Sequence, residues 1–555
     1  MKHLSFVVAC ICFLAAGCGT SPIIPPKTSP LAANQVATCD TTAPEVQSSG
    51  QFTVQPSLTA LNLYPGETAT VDVALPNLGS AAPQQVQISA NHLPVGLNVA
   101  SVQATSGGMA RLTFQATTAL AFNCFSGQAA VYSATMPVSI VATAASGKAS
   151  SNVNVNVVLE NPSFAPATTG LPILSLSTAD GADVTSKDDY VDGTVALTDA
   201  TDSDNNFRGT MQIKGHGNST WGMPKKPYNL KLDSKETILG MASSKKWILL
   251  ANYDDKTMMR NALAFHISKM FQMTWTPDSR FVEVYLNGNY EGVYQITEKV
   301  EIDTNRLNIT EISDDDNSGD ALTGGYLLEF DNYEDATFVF HTPRGLPVDS
   351  DDPDPPTQAQ QSYITNVVTT AENALFSSSF TSLTTGWPAY FDKSTLVDYF
   401  LVEELMGNQD GDFWSSDYFF KKRGDPLLYM GPLWDFDITT GNVNYPDFSA
   451  INPTQPWIRV NAPWYARLFQ DPAFEAAVKA RWAEIRPQVN DIPSFIDSSA
   501  AALNQGQQNN FQRWPILYDR VWPNPVAYGT YSAEVAALKT WMTDRVAYMD
   551  SNYLR

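Results

Sequence analysis

The sequence predicts a multidomain chain: an N-terminal all-β immunoglobulin-like sandwich, then a C-terminal α+β unit of two lobes. Three observations carry this reading. Between residues 51 and 160, short stretches alternate apolar and polar side chains with turn residues between them. From Leu171 to Arg555 the chain turns aromatic-rich and mixes strand patterns with helical ones. Its 555 residues leave room for roughly two to four domains.

Taken in order, the chain opens with Lys2 and the apolar stretch Leu4–Ala16, too short to span a bilayer. It reads as a signal peptide over residues 1–17. Leu14 to Cys18 has the look of a bacterial lipoprotein cleavage box with Cys18 as the lipidated first residue, although Ala15 stands where Leu is commoner. An ordinary cleaved signal with an incidental Cys18 is the plain alternative. The reading is an exported protein, held by lipid alone at the bacterial membrane or cell surface, on its periplasmic or extracellular face. Residues 18–50, rich in Ser, Thr, Pro, Ala and Gln, read as a flexible tether.

The balance of 34 basic against 57 acidic residues, a net charge of −23, argues against nucleic acid as a partner. Binding there rests on Lys and Arg neutralising phosphates. Of the 5 cysteines, Cys10 and Cys12 leave with the signal. Cys39 and Cys124 remain as an even pair, available for a disulfide in an oxidising compartment. No clustering suits a zinc site.

In the sandwich region Phe52–Val54, Ala69–Val73, Val86–Ile88, Leu112–Phe114 and Val153–Val157 alternate, and Pro65-Gly66 and Gly107-Gly108 punctuate them. The region carries no recognisable chemistry and reads as a spacer. Residues 161–170 read as a linker. Beyond it, strands are expected at Thr210–Lys214, Tyr228–Leu232, Phe281–Leu286, Gly292–Thr297 and Tyr326–Phe330. Helices are expected at Lys256–Phe271, Thr357–Phe376, Asp392–Met406, Pro463–Ile485 and Ser532–Asn552. Asp314, Asp316, Ser318 and Asp320 imitate the start of a calcium loop, but Gly325 occupies the position that wants a bidentate Glu, so an acidic surface loop is expected. The acidic stretch Asp349–Pro356 is expected to be an exposed, mobile loop.

The chemistry concentrates in Leu396–Asn442. A helix stops at Gly407-Asn408, a loop carries Asp410 and Asp412, and two short runs around Gly424-Asp425-Pro426 read as a hairpin. Trp434-Asp435-Phe436-Asp437 follows. Helix, loop Asp, hairpin, second Asp pair is the order in which kinases bring a catalytic-loop Asp near a metal-holding Asp. Turn positions are the plain alternative for each of these acids. A second candidate is Lys214–Asp233, where Gly215, Gly217 and Gly222 flank Asn218, Ser219 and Thr220, with Lys225, Lys226 and Lys231 close by. It looks like a phosphate cradle, but it is no Walker loop, and a Gly-rich turn explains it equally. Asn287-Gly288 marks a hairpin that ends at Glu298-Lys299. His216, His266 and His341 are widely spaced and support no hydrolase triad.

Several stretches in order resemble one family, the CotH (spore coat protein H) type of atypical secreted kinases. They are Gly217–Trp221 with Lys225–Tyr228, Trp247–Asn261, Val284–Lys299, Gly324–Asp331, Asn408–Gly411 and Gly431–Gly441. The resemblance covers residues 171–555 and implies a kinase-like fold. It also implies ATP as donor, Mg²⁺ or Mn²⁺, and a secreted or surface protein as acceptor. On matching positions Asp410 is the catalytic carboxylate and Asp435 the metal ligand, with Asp437 beside it. The resemblance gives Lys226 and Lys231 to the phosphates, pairs Glu298 with one of them, and lays Tyr294 and Tyr429 near a purine. Familiar kinases place an Asn for a second metal where this chain offers Asp417. The alternatives are a non-catalytic surface binding protein on the same fold, or a kinase acting on surface glycans.

Overall fold

The computed structural model describes residues 23–24, 35–36, 43–47, 52–63, 68–76, 86–94, 97–105, 109–116, 133–144, 147–158, 166–444 and 452–554. The expected signal peptide, most of the tether, and Cys18, Cys39 and Cys124 lie outside them. The chain divides into two compact units, Met1–Ser163 and Phe164–Arg555.

The first unit is all β. Its strands are β1 (Ile23–Ile24), β2 (Gln35–Val36), β3 (Gln55–Pro56), β4 (Ala60–Leu63), β5 (Thr68–Ala74) and β6 (Val86–Asn91). They continue with β7 (Leu93–Pro94), β8 (Leu97–Thr105), β9 (Met109–Ala116), β10 (Ser133–Ala144) and β11 (Gly147–Val158). One sheet runs β1-β6-β10-β11-β4, another β3-β5-β9-β8, and β2 pairs with β7. Alternation does the folding work: along β9 the side chains of Ala110, Leu112, Phe114 and Ala116 are fully buried and their neighbours are not. Val71 and Val73 from one sheet and Ile88, Ile140 and Val153 from the other belong to a single apolar core.

The second unit is α+β. Seven strands close into a barrel: β12 (Ile173–Thr178), β13 (Val191–Thr198), β14 (Phe207–Gly215), β15 (Tyr228–Glu236), β16 (Ser244–Leu250), β17 (Ser279–Leu286) and β18 (Asn289–Glu298). All pairs are antiparallel except β12 with β17, the parallel seam that closes the ring. Leu174, Val195, Ile213, Leu230, Trp247, Val282 and Ile296 fill its interior. Closure, together with β12, β13 and β16, goes beyond the open set of strands expected from the sequence.

A second sheet, β20-β21-β19-β22-β23, is made of β19 (Tyr326–Phe330), β20 (Val339–His341), β21 (Pro347–Asp352), β22 (Asp417–Lys421) and β23 (Leu428–Met430). The expected hairpin is β22 with β23. The acidic stretch from Asp349 is not simply an exposed loop: its first residues belong to β21, where Asp349 and Ser350 are buried between β19 and β20. The calcium-like loop closes on protein partners, Asp316 accepting from Ser313 and pairing with Arg423 at 3.1 Å.

The helices begin where caps permit. They are α1 (Arg260–Met270), α2 (Gln358–Leu375), α3 (Lys393–Met406), α4 (Ile458–Asn461), α5 (Pro463–Leu468), α6 (Pro472–Val489), α7 (Ile492–Ala502), α8 (Asn504–Arg513) and α9 (Tyr531–Tyr553). Thr357 and Gln360 form a capping box on α2, and Asp392 caps α3 through the Thr395 N–H. The single helix expected over Pro463–Ile485 is two, because Asp471 caps a new start at Pro472. No helix of the described residues is long and apolar enough to cross a membrane.

Candidate functional site: an acid-rich cleft facing a glycine loop

Helix α3 ends in left-handed Gly407 (φ 57°), and its N–H groups close back on Glu403 and Glu404. A single 3-10 turn, Asp410–Asp412, follows immediately and turns Asp410 outward, half-buried. Gly411 makes room for Glu403, whose Oε2 would lie 2.5 Å from a Cβ at this position and would have to shift. The turn is pinned from behind. Trp414 N–H donates to Asp410 O at 3.0 Å, Phe413 N–H to Asp417 Oδ2 at 2.9 Å, and Trp457 Nε1 to Gln409 O at 3.0 Å.

Asp435 is held in the left-handed region (φ 63°), a conformation that a residue other than glycine keeps only when its surroundings hold it there. The next residues show how: Phe436 N–H donates to Asn261 Oδ1 at 2.7 Å and Thr440 N–H to Met406 O at 2.8 Å. Arg260 Nε adds a bond to Thr440 Oγ1 at 2.8 Å. The start of α1 and the end of α3 thus clamp the segment that carries Asp435 and Asp437.

Both segments open into one cavity of about 350 Å³. Asp410, Asp435 and Asp437 line it together with the turn Gly215–Thr220, and Lys187 and Lys214 are its lining cations. Lys187 Nζ donates to Asn218 Oδ1 at 2.6 Å. His216 lies edge-on to Trp434, ring centroids 6.3 Å apart. Burial, then the charges of Lys299, Lys187 and Lys214, hold its imidazole down to about 3, so it is neutral.

The acids behave oppositely. Asp410 is pushed up to about 8, first by burial and then by Asp435, Asp412 and Asp331. Asp435 opens onto the cleft and is still raised, first by burial and then by Asp331. Asp437 is raised by burial and by Asp254 and Asp435. Asp254 is pushed up to about 7 by burial and by Asp255 and Asp435, and its Oδ1 is buried without a hydrogen-bond partner. Crowded carboxylates of this kind call for a cation.

Several residues singled out from the sequence stand elsewhere. Lys226 donates to Trp221 O at 2.7 Å and lies outside the cavity wall. Lys231 is exposed over Tyr190. Glu298 pairs with no lysine; it is buried against Arg306 at 2.6 Å and accepts from Asp278 N–H at 2.9 Å. Tyr294 is part of the barrel core, stacked on Tyr228, and its hydroxyl donates to Lys226 O. Tyr429 stacks on Phe420 and donates to Asp425 Oδ2 at 2.7 Å, away from the cavity. Asp417 is buried, accepting from Tyr399 Oη at 2.7 Å and from the Phe413 N–H, so it braces the Asp410 turn instead of facing the cleft. Glu298, Tyr294 and Asp417 are claimed by buried partners remote in sequence, whereas Lys226 and Tyr429 bond to residues four or five positions away.

The cleft also holds Lys187, which no quoted stretch contains, and Lys214, Asn252, Glu329, Asp331 and Trp434, which lie inside quoted stretches but had been given no role of their own. Asn252 and the clamp residues Arg260 and Asn261 fall in Trp247–Asn261, whose recurrence in the family was the available signal.

No curated protein matches the chain. Similar solved structures include the Yersinia pseudotuberculosis adhesin InvE, at 11% identity and TM-score 0.15, with 34% of this chain and 56% of the adhesin chain covered. A marsupial T cell receptor follows at 11% and 0.13, covering 36% and 97% of the two chains. Domains 4–9 of surface layer protein SbsC match at 13% and 0.12, covering 44% and 27%. The family comparison is of another order: a model described as CotH kinase protein matches residues 213–549, from the glycine loop through both aspartate segments, and the chain belongs to that family.

Proposed function

We propose that the protein is an exported, lipid-anchored atypical kinase that transfers phosphate from ATP to a Ser/Thr-type hydroxyl of a secreted or surface protein. Membership of the CotH kinase family supports a kinase-type enzyme. The observation that carries the finer reading is the single cleft in which Asp410, Asp435 and Asp437 face the Gly215–Thr220 turn and two lysines. Phosphoryl transfer asks for this division of labour: cations and donors on one wall for the phosphates, carboxylates on the other.

The donor set fits a hard divalent cation, since the acids are oxygen ligands and the one histidine of the wall is turned toward Trp434. Asp435 and Asp437 would hold Mg²⁺ or Mn²⁺, with the unpartnered Asp254 Oδ1 behind them. Bound there, the ion supplies positive charge against phosphate oxygens. Asp410, once ionised, orients the acceptor hydroxyl and takes its proton. Lys187 and Lys214 attract the phosphates, and neutral His216 adds no competing charge. Asn218 steers Lys187.

Radiolabelled ATP, incubated with Mg²⁺ or Mn²⁺ and the purified chain from residue 18 onward carrying Cys18→Ser, tests the proposal beside Asp410→Ala and Asp435→Ala. Label on protein in the wild type alone supports it. No label, together with no metal-dependent ATP binding, overturns it in favour of a binding protein.

A further inference from the structure

The loop after β19 carries acids that the transfer chemistry above does not use. Asp331 directly follows that strand, Asp335 lies in the loop and Asp349 sits within β21. Each offers a carboxylate oxygen within 4.8 Å of the other two. Surface acids often gather without consequence, but these are not all on the surface. Asp349 is 3% exposed and Asp331 4% exposed, and only Asp335 reaches solvent.

The backbone accounts for part of the arrangement. Tyr333 N–H donates to Asp331 Oδ1 and Ala336 N–H to Asp349 Oδ2, each at 3.1 Å. These two bonds fold the 331–336 segment back so that Asp335 returns over the buried pair. They leave Asp349 Oδ1 shielded from water with no hydrogen-bond partner. A buried carboxylate oxygen in that state is costly until something positive meets it. Its charged surroundings are of its own sign: Asp331, Asp335 and Glu334 all bear on it.

We propose that Asp331, Asp335 and Asp349 bind a hard divalent cation, Ca²⁺ or Mg²⁺, at the rim of the same cleft, through ligands other than Asp410, Asp435 and Asp437. An all-carboxylate donor set suits those ions and not the softer metals that want nitrogen or sulfur. The ion replaces the missing partner of Asp349 Oδ1 and ties the 331–336 segment to β21. That segment carries Tyr333, 50% exposed on the wall of the cleft. The cation therefore sets the shape of one rim, whatever reaction the cleft performs.

Calorimetric titration of the purified chain (Cys18→Ser) with CaCl₂, and separately with MgCl₂, tests this without nucleotide. An Asp435→Asn/Asp437→Asn background removes the two acids assigned to the catalytic ion. That background is expected to bind one equivalent of at least one ion. Adding Asp335→Asn is expected to weaken it at least tenfold, and adding Asp349→Asn to abolish it. Asp335 is exposed, so its variant keeps the fold and decides the matter even where the buried Asp349 variant does not fold. A background that binds neither ion, or an Asp335→Asn affinity within twofold of its parent, overturns the proposal.

Discussion

Lys226 donates from Nζ to the Trp221 carbonyl oxygen at 2.7 Å and lies over the Trp221 indole, 5.2 Å from its centroid. The lysine that family resemblance gave to the phosphates instead braces the turn Thr220–Gly222 from behind. The cations on the cleft wall are Lys187 and Lys214. Lys187→Ala should raise KM for ATP about tenfold, equivalent to ~1.4 kcal/mol, with a small change in kcat. Lys226→Met should instead lower the melting temperature. Steady-state kinetics beside thermal melts separates the two roles, and an unchanged KM in Lys187→Ala would remove that lysine from the site.

Glu298 and Arg306 form a buried pair, their side chains 4% and 0% exposed. Breaking such a pair from one side leaves an uncompensated charge and typically costs about 3–5 kcal/mol. Arg306→Met should therefore shift the urea midpoint strongly downward. A Glu298→Leu/Arg306→Met double variant should recover most of the loss. A single-variant cost below about 1 kcal/mol would mean the pair behaves as a solvated one.

Glu403 makes the protein sensitive to alkali. Burial, then the charge of Asp410, pushes its carboxyl up to about 8, and Oε2 lacks a hydrogen-bond partner. A raised folded value means that the folded state holds a proton the unfolded chain has released above about pH 4.3. Stability from this group is thus fully present below that pH and lost as pH rises through about 8. Glu403→Gln should flatten the fall in melting temperature between pH 5.5 and pH 8 in metal-free buffer. An equal slope in variant and wild type would contradict it.

Asp410 gives a pH signature of another kind. A carboxyl raised to about 8 must ionise before it can take a proton from an acceptor. For the free enzyme, log(kcat/KM) should climb with pH toward a limb at or below about 8, since a cation nearby lowers the value. Asp410→Asn should lose both the limb and at least two to four orders of magnitude in rate, the usual worth of a general base. A wild-type profile flat from pH 5 to pH 9 would take Asp410 out of that role.

Much of this site was legible along the chain because its framework is local. Gly407, Asp410, Gly411 and Asp435 fall where a helix must stop and a turn must form, and turn chemistry is written in adjacent residues. The motif order was legible for the same reason. The contribution of Lys187 was not, since it sits in no such pattern, and that of Asp331 was marked only as the end of the family stretch Gly324–Asp331. Each reaches the cleft from a separate connection, more than 70 residues before the nearer aspartate segment.

By itself, the sequence determined the all-β character of the first unit, the α+β character of the second, the capped starts of α2 and α3, and the two aspartate segments. All of these rest on interactions a few residues long: alternation, caps, turns. Tertiary structure alone decided the parallel β12–β17 seam that closes the barrel, the burial of Asp349 in β21, and the partners of Glu298, Tyr294 and Asp417. The physical reason is common to them. A buried charge or hydroxyl must be satisfied by whichever group the fold brings within about 3 Å, and a sequence read locally does not say which that will be.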